Sequence, residues 1–226
     1  MSARIDAVLF DLDGTLVATM GPWDRCWEQY AARHGHVWCD ADRNSTHGHG
    51  DWACHLARVS GGLPVEQVVE DCCDLMIARV RAGRIGLLPG AQGLLTLAAS
   101  TVAVAVVSAS PRRFVDATLA HYGLRMPTVV TREDQTATKP HPAPYLHAAQ
   151  LLDVHPQHCV AVEDSAAGIR SAHTAGMRVL AVPSWSAALR PPELDLATHH
   201  APSAVEALPW LRSALAASAE AIPVDN

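Results

Sequence analysis

Asp11 and Asp13 are the first residues along the chain whose types and spacing could do chemistry. They stand two apart in Phe10-Asp11-Leu12-Asp13-Gly14-Thr15-Leu16-Val17, and residues two apart in extended chain project to the same side. Both carboxylates can therefore face one ligand, with Gly14 letting the backbone turn behind them; a plain Asp-Gly turn has the same composition. Glu163 and Asp164, in Val162-Glu163-Asp164-Ser165, are a second acidic pair. Adjacent carboxylates beside a buried strand repel, and they are costly there unless a cation compensates. Hard oxygen ligands from Asp11, Asp164 and Glu163, joined by a backbone carbonyl, suit Mg²⁺, which keeps waters and binds phosphate. Asp164 or Ser165 would equally serve as the cap of a helix running into Ala166-Ala167-Gly168-Ile169.

Lys139, in Thr138-Lys139-Pro140-His141-Pro142, is the only lysine, every other residue of the 17 Lys and Arg being arginine. An ammonium retained where arginine serves everywhere else points to a compact charge bridging a carboxylate and a phosphate, where a planar guanidinium fits badly. A solvated loop lysine is the plain alternative. Val107-Ser108-Ala109-Ser110 offers a phosphate oxygen the Ser108 hydroxyl and a backbone N–H. Ser110 before Pro111 also fits a helix N-cap.

These four groups fall at strand ends of one sheet. Short apolar runs at 5–10, 102–107, 128–130, 159–162 and 178–182 read as strands, and 112–122, 142–152 and 165–175 carry helical patterns. Strands apolar on both faces, alternating with helices, indicate a parallel sheet covered on both sides, whose carboxyl ends are where ligands bind. The segment from Gly21 to Gly86 breaks the alternation. It holds helical patterns at 22–34, 51–59 and 65–84 without a strand, and Leu88-Pro89-Gly90 marks the return crossing. The tail from Ser218 to Asn226 reads as frayed, and no internal repeat is present.

The composition narrows the function classes. With 226 residues, 49% hydrophobic and 18% charged, most of the chain must fold rather than stay disordered. A formal charge of -6 speaks against a cationic surface for nucleic acid or an anionic membrane. The start shows no signal-peptide pattern, and the longest apolar run, 102–107, is far too short to span a bilayer. The six cysteines form no C-x-x-C pair and read as reduced thiols of a cytoplasmic protein.

In this order and spacing the residues resemble the haloacid dehalogenase-like hydrolase superfamily. D-x-D-G-T-L is complete at Asp11 to Leu16, Ser108 matches the second motif, Lys139 stands in K-P-x-P, and Glu163-Asp164 stand in E-D-S-x-x-G. The resemblance covers roughly residues 5 to 185. It extends to the helical-cap subgroup of phosphosugar and polyol-phosphate phosphatases and β-phosphoglucomutase, through His47-Gly48 followed by Asp51 and through Lys139 to Tyr145. It implies a Rossmann-like α/β core with a parallel sheet over residues 1–18 and 89–226, and a small all-helical cap over 19–88. The implied activity is Mg²⁺-dependent hydrolysis of a small phosphorylated metabolite (a sugar, polyol or cyclitol phosphate) by a monomer. In that scheme Asp11 is the nucleophile and becomes an aspartyl-phosphate, and Asp13 is the general acid and base. Asp11, the Asp13 carbonyl and Asp164 hold Mg²⁺, with Glu163 binding it directly or from behind. Ser108, the Ala109 N–H and Lys139 hold the phosphoryl oxygens. The substrate pocket is expected at Thr19, Trp23, His47, His49 and Trp52, although Trp23 and Trp52 could be only cap core.

Departures from the family pattern bear on substrate more than on reaction. Ala18 replaces a common acidic residue, Thr138 stands where glycine usually precedes the lysine, Ala109 replaces Asn or Gly, and Gly50 stands near a usual arginine. Trp23 occupies the position resembling the cap-contacting histidine of β-phosphoglucomutases, which favours hydrolysis over the isomerase alternative. A non-catalytic phosphate-binding module would be expected to have lost Asp13 or Asp164, and both are present. A Schiff-base hydrolase needs a cap lysine, and the cap has none. The cap is rich in His and Cys (His34, His36, Cys39, His47, His49, Cys54, His55, Cys72, Cys73), but the spacing matches no tetrahedral zinc motif; solvated or core histidines and buried thiols are expected instead.

Overall fold

The computed structural model describes residues 4–46, 51–182 and 191–220. Six parallel strands form one sheet: β1 (Ala7–Phe10), β2 (Ala103–Val107), β3 (Thr128–Val130), β4 (Cys159–Glu163), β5 (Arg178–Ala181) and β6 (His199–His200), in the spatial order β3-β2-β1-β4-β5-β6. β1 lies at the centre because Ala-Val-Leu-Phe has no polar face to show to water, and all four residues are buried. Ala7 pairs with Ala103 on one side and with Cys159 on the other, so β1, β2 and β4 end level with one another. Asp11, Ser108 and Asp164 follow those three ends.

The two faces of the sheet carry different partners. Val8 and Phe10 pack toward the large cluster that includes Trp23, Leu56, Met76 and Phe114. Ala7 and Leu9 pack toward Tyr145, Ala148 and Ile169. Burying a side chain such as Leu9 or Phe10 contributes roughly 1.5–3 kcal/mol each, so the alternation along β1 binds helices on both sides.

Between β1 and the helix α5 (Ala91–Ala99) lie four helices and no strand among the described residues: α1 (Met20–Arg33), α2 (Asp40–Thr46), α3 (Trp52–Val59) and α4 (Val65–Arg81). The chain leaves and re-enters side by side. Val17 bridges Leu87 antiparallel, the Ala18 N–H donates to the Gly86 carbonyl at 2.9 Å, and the Leu88 N–H donates to Leu16 O at 2.9 Å. The remaining helices are α6 (Arg112–Tyr122), α7 (Ala143–Leu151), α8 (Ala166–Thr174) and α9 (Ala204–Glu220).

Several expectations from sequence are corrected. α2 was not foreseen, because Asp-Ala-Asp-Arg-Asn-Ser-Thr has no apolar periodicity to reveal it. α5, α9 and the two-residue β6 were also unmarked. The frayed tail is wrong over Ser218–Glu220: α9 continues to Glu220, and the buried Ser218 Oγ accepts from the Ile5 N–H at 2.6 Å. Residues 221–226 lie outside the described residues. No helix among the described residues is long and apolar enough to cross a membrane.

Candidate active site

Asp11 leaves β1 as its backbone N–H donates to the Val162 carbonyl at 3.0 Å, which carries the sheet spacing one residue past the strand. Its side chain is 6% exposed. Lys139 Nζ donates to Asp11 Oδ1 at 2.6 Å, whereas Oδ2 is buried with no hydrogen-bond partner among the described groups. The chain then folds over itself, with Leu16 N and Val17 N both donating to Leu12 O and Gly14 N donating to Val17 O. Gly14 sits at φ +87°, and a Cβ there would stand 2.2 Å from Asp164 Oδ2. Only glycine admits both that turn and that approach.

Asp13 is held by three donors. Trp23 Nε1 donates to Oδ1 at 2.9 Å, and Ser110 Oγ and Ser108 Oγ donate to Oδ2 at 2.7 and 3.1 Å. The Ser108 hydroxyl in turn accepts from the Ser110 N–H at 3.0 Å. The N-cap expectation for Ser110 is therefore corrected: Pro111 precedes α6, no side chain caps it, and the Ser110 hydroxyl serves Asp13.

Lys139, whose peptide bond to Pro140 is cis, is 6% exposed and commits all three ammonium protons: to Asp11 Oδ1 and Glu163 Oε1 at 2.6 Å each and to Val107 O at 2.9 Å. Glu163 is fully buried. Its Oε1 accepts from Lys139 and from the Tyr145 hydroxyl (2.7 Å), and its Oε2 from Asp164 N, Ser165 N and Ser165 Oγ at 3.2–3.3 Å. Gly168 makes room for it, since a Cβ there would lie 1.9 Å from the carboxylate. Every lone-pair direction of Glu163 faces a protein donor, which leaves Asp11 and Asp164 as the carboxylates of the acidic group that line the cleft. Ser165 caps α8, accepting from Gly168 N at 3.0 Å.

Burial pushes the Asp11 carboxyl well above the ordinary carboxylate range; Lys139 pulls it down, and Glu163, Asp164 and Asp13 push it up further. Burial pulls the Lys139 ammonium down, but Asp11 and Glu163 more than offset this and hold it protonated. Burial, and then Glu163, raise the Tyr145 phenol, so it stays a donor. Four carboxylates thus crowd one ammonium.

A cleft of about 100 Å³ opens above Asp11, Asp13, Lys139 and Asp164, with Ala109 and Ser110 at its edge. Its far wall comes from α1, α2 and α3: Met20, Trp23 and Trp27, Thr46, and Trp52. The indoles pack on one another, Trp23 to Trp27 at 5.8 Å, Trp23 to Trp52 at 5.4 Å and Trp27 to Trp52 at 5.6 Å between centroids. Trp23 and Trp52 are thus at once cluster members and cleft wall. Thr19 is corrected as a pocket residue. It is fully buried outside the described cleft lining, with its hydroxyl on Val17 O at 3.4 Å. His47 and His49, with Gly50, lie outside the described residues. Sequence reasoning assigned no role to Ser110 at the site, nor to Tyr145, Met20 or Trp27. Tyr145 was visible only as the end of the Lys139-Pro140-His141-Pro142-Ala143-Pro144-Tyr145 stretch.

The cap's polar residues gather elsewhere. His36 Nε2 and His55 Nε2 lie 2.9 and 2.8 Å from the two Asp42 oxygens, and Cys39 N and Sγ donate to Oδ2. Among the described residues the grouping of three metal-ligating side chains is Asp11, Glu163 and Asp164, whose ligand atoms lie within 4.8 Å of one another.

The haloacid dehalogenase-like hydrolase family model matches residues 5–176. Hexitol phosphatase A of Escherichia coli is 35% identical over 200 residues, 87% of this chain and 91% of the relative. Protein CbbY of Rhodobacter capsulatus is 31% identical over 197 residues, 80% of this chain and 86% of the relative. The crystal structure of CbbY from Rhodobacter sphaeroides in complex with phosphate superposes with a TM-score of 0.80 at 25% identity, over 90% of this chain and 96% of that one. The chain belongs to the haloacid dehalogenase-like hydrolase family. Within it, the chain is a phosphatase.

Proposed function

We propose that the protein hydrolyses the phosphate monoester of a small polyhydroxylated metabolite, a sugar, polyol or cyclitol, through an aspartyl-phosphate on Asp11 with Mg²⁺ bound. The observation that carries the reading is Asp11 Oδ2: a buried carboxylate oxygen with no donor among the described residues, on a residue that lines the cleft, while its twin is pinned by Lys139. An oxygen so placed is desolvated and aimed, which is what a nucleophile needs.

The same orphaned oxygen tests whether a cation suits the site. Asp11 and Asp164 crowd together with no arginine or lysine besides Lys139 in the described lining, and Gly14 keeps the space beside Asp164 clear of a Cβ. Hard oxygens in a site of excess negative charge fit Mg²⁺. Asp11, Asp164 and the Asp13 carbonyl would hold it, with Glu163 acting from behind by fixing Lys139. When bound, the ion supplies charge neutralisation and polarisation of the phosphoryl oxygens.

The protein's own groups carry the transfer. Asp11 Oδ2 attacks phosphorus in line, the phosphorus–oxygen bond to the leaving alkoxide breaks, and Asp13 gives that alkoxide a proton. Asp13 then takes a proton from the water that attacks the aspartyl-phosphate, releasing inorganic phosphate and restoring Asp11. Lys139, its protons committed, stabilises the transferring group through its charge. The Ser108 hydroxyl donates to Asp13, so the N–H of Ala109, which lines the cleft, serves a phosphoryl oxygen. The insertion 19–88 acts as the cap that chooses the substrate, in a cytoplasmic monomer. The similarity to hexitol phosphatase A supports the polyol class.

The test is release of inorganic phosphate from sugar, hexitol, cyclitol and nucleotide phosphates with Mg²⁺. Turnover of a polyhydroxylated monoester is expected, abolished by EDTA, restored by Mg²⁺, and lowered at least about 10³-fold by Asp11→Asn. Release that survives EDTA, or that persists in Asp11→Asn, would contradict the reading. Interconversion of sugar phosphates without net phosphate release would establish the isomerase instead.

A further inference from the structure

We infer that Trp23 is a positioning residue for Asp13, its indole N–H setting the orientation of the carboxylate that serves the leaving group. The inference rests on the reading of Asp13 as acid and base, and deepens it. Trp23 Nε1 donates to Asp13 Oδ1 at 2.9 Å, while Ser110 and Ser108 hold Oδ2. Donors on both oxygens fix the carboxylate's rotation about Cβ–Cγ. Ser108 and Ser110 follow β2, beside the carboxylate in the sheet. Among the described residues, Trp23 is the one that reaches it from the helical insertion.

The indole is itself held. Trp23 is 5% exposed, and its ring meets Trp52 and Trp27 on one side and the edge of Phe114 at 5.1 Å on the other. Phe114 lies on α6, outside the insertion, so Trp23 is wedged between insertion and sheet layers. A ring locked by packing presents its N–H without loss of rotamer freedom at the moment of reaction. A phenylalanine would supply the packing without the donor, so what tryptophan adds at this position is its N–H. The N–H is a donor only, and it has an acceptor: the carboxylate that must stay turned toward the cleft. Trp23 therefore joins the wall that meets the substrate to the group that moves its proton.

The consequence separates two kinds of substrate. An alkoxide leaves only with a proton delivered to it, whereas p-nitrophenolate leaves without one. We expect Trp23→Phe, and the isosteric replacement of Trp23 by benzothienylalanine with sulfur in place of N–H, to lower kcat/KM for a hexitol 6-phosphate about 10- to 100-fold. A loss through the wall contact falls on both substrates, so the ratio of kcat/KM for the hexitol phosphate to that for p-nitrophenyl phosphate should fall at least about fivefold in these variants, because only the alkoxide needs the proton. The benzothienyl variant keeps the ring cluster should Trp23→Phe loosen it. Equal losses on both substrates, or no loss on either in the benzothienyl variant, would overturn the role of Trp23. Asp13→Asn with undiminished hexitol phosphate turnover would instead remove the acid–base reading on which it stands.

Discussion

Asp11 Oδ2 is buried without a hydrogen-bond partner among the described residues, while Oδ1 is bound at 2.6 Å by an ammonium that also holds Glu163. Stripping water from a carboxylate and leaving one oxygen unsatisfied is costly, and such a cost is sustained at sites whose partner arrives with the substrate. Lys139 makes the arrangement possible because three acceptors converge on one tetrahedral nitrogen. A guanidinium spreads its donors in a plane and cannot point three of them from one nitrogen at Asp11, Glu163 and Val107. Lys139→Arg, which preserves charge, is therefore expected to lower kcat/KM by roughly 10²-fold or more, read as phosphate release under Mg²⁺. Activity within a few-fold of wild type would show that charge alone suffices there. Asp11, Glu163 and Asp164 were legible from the sequence because they stand at the ends of apolar runs, where carboxylates are costly, and Lys139 because it is the only lysine. The Ser110 and Trp23 contacts to Asp13 were not. A serine before Pro111 looks like a helix cap, and an indole ten residues from Asp13 meets it only through the way α1 packs.

At the scale of elements, α2 is a helix with little apolar surface, held through Asp42. That residue is 5% exposed. Burial pushes its carboxyl up, but hydrogen bonds from His36, the Cys39 N–H, His55 and the Cys39 thiol outweigh this and hold it well below the ordinary carboxylate range. Arg58 donates to His55 Nδ1 at 2.9 Å, which leaves Nε2 as the protonated nitrogen facing Asp42. A carboxyl whose folded pKa is depressed contributes stability that is fully present above its unfolded pKa and is lost as pH falls through the folded one. The wild-type Tm is thus expected to fall more steeply than that of Asp42→Asn as pH is lowered from 5 toward 3, followed by differential scanning calorimetry. Parallel curves would show that Asp42 does not anchor the helix. This contact explains why α2 was invisible in the sequence: its stability lives in a carboxylate and two imidazoles on other segments. The strands were visible because a parallel strand buried on both faces is apolar throughout, as β1 and β4 are.

At the scale of the whole molecule, the level ends of β1, β2 and β4 bring together side chains more than a hundred residues apart, and the insertion closes over them with an aromatic wall. The sheet half of the cleft is charged, and the described part of the insertion half is apolar apart from Thr46. Such a division suits a ligand with a charged phosphoryl end and a body that packs its carbon face against indole. It also lets one sheet chemistry be combined with different walls. The proposed hydrolysis requires covalent transfer to one oxygen. The direct measurement is acid quenching of the Mg²⁺-loaded enzyme during turnover of the best monoester, followed by proteolysis and mass spectrometry. A single phosphoryl group on the side chain of Asp11, lost on mild alkaline treatment and absent in Asp11→Asn, is the predicted result. Full turnover with no phosphorylated peptide at any quench time, or with the group on another residue, would contradict it.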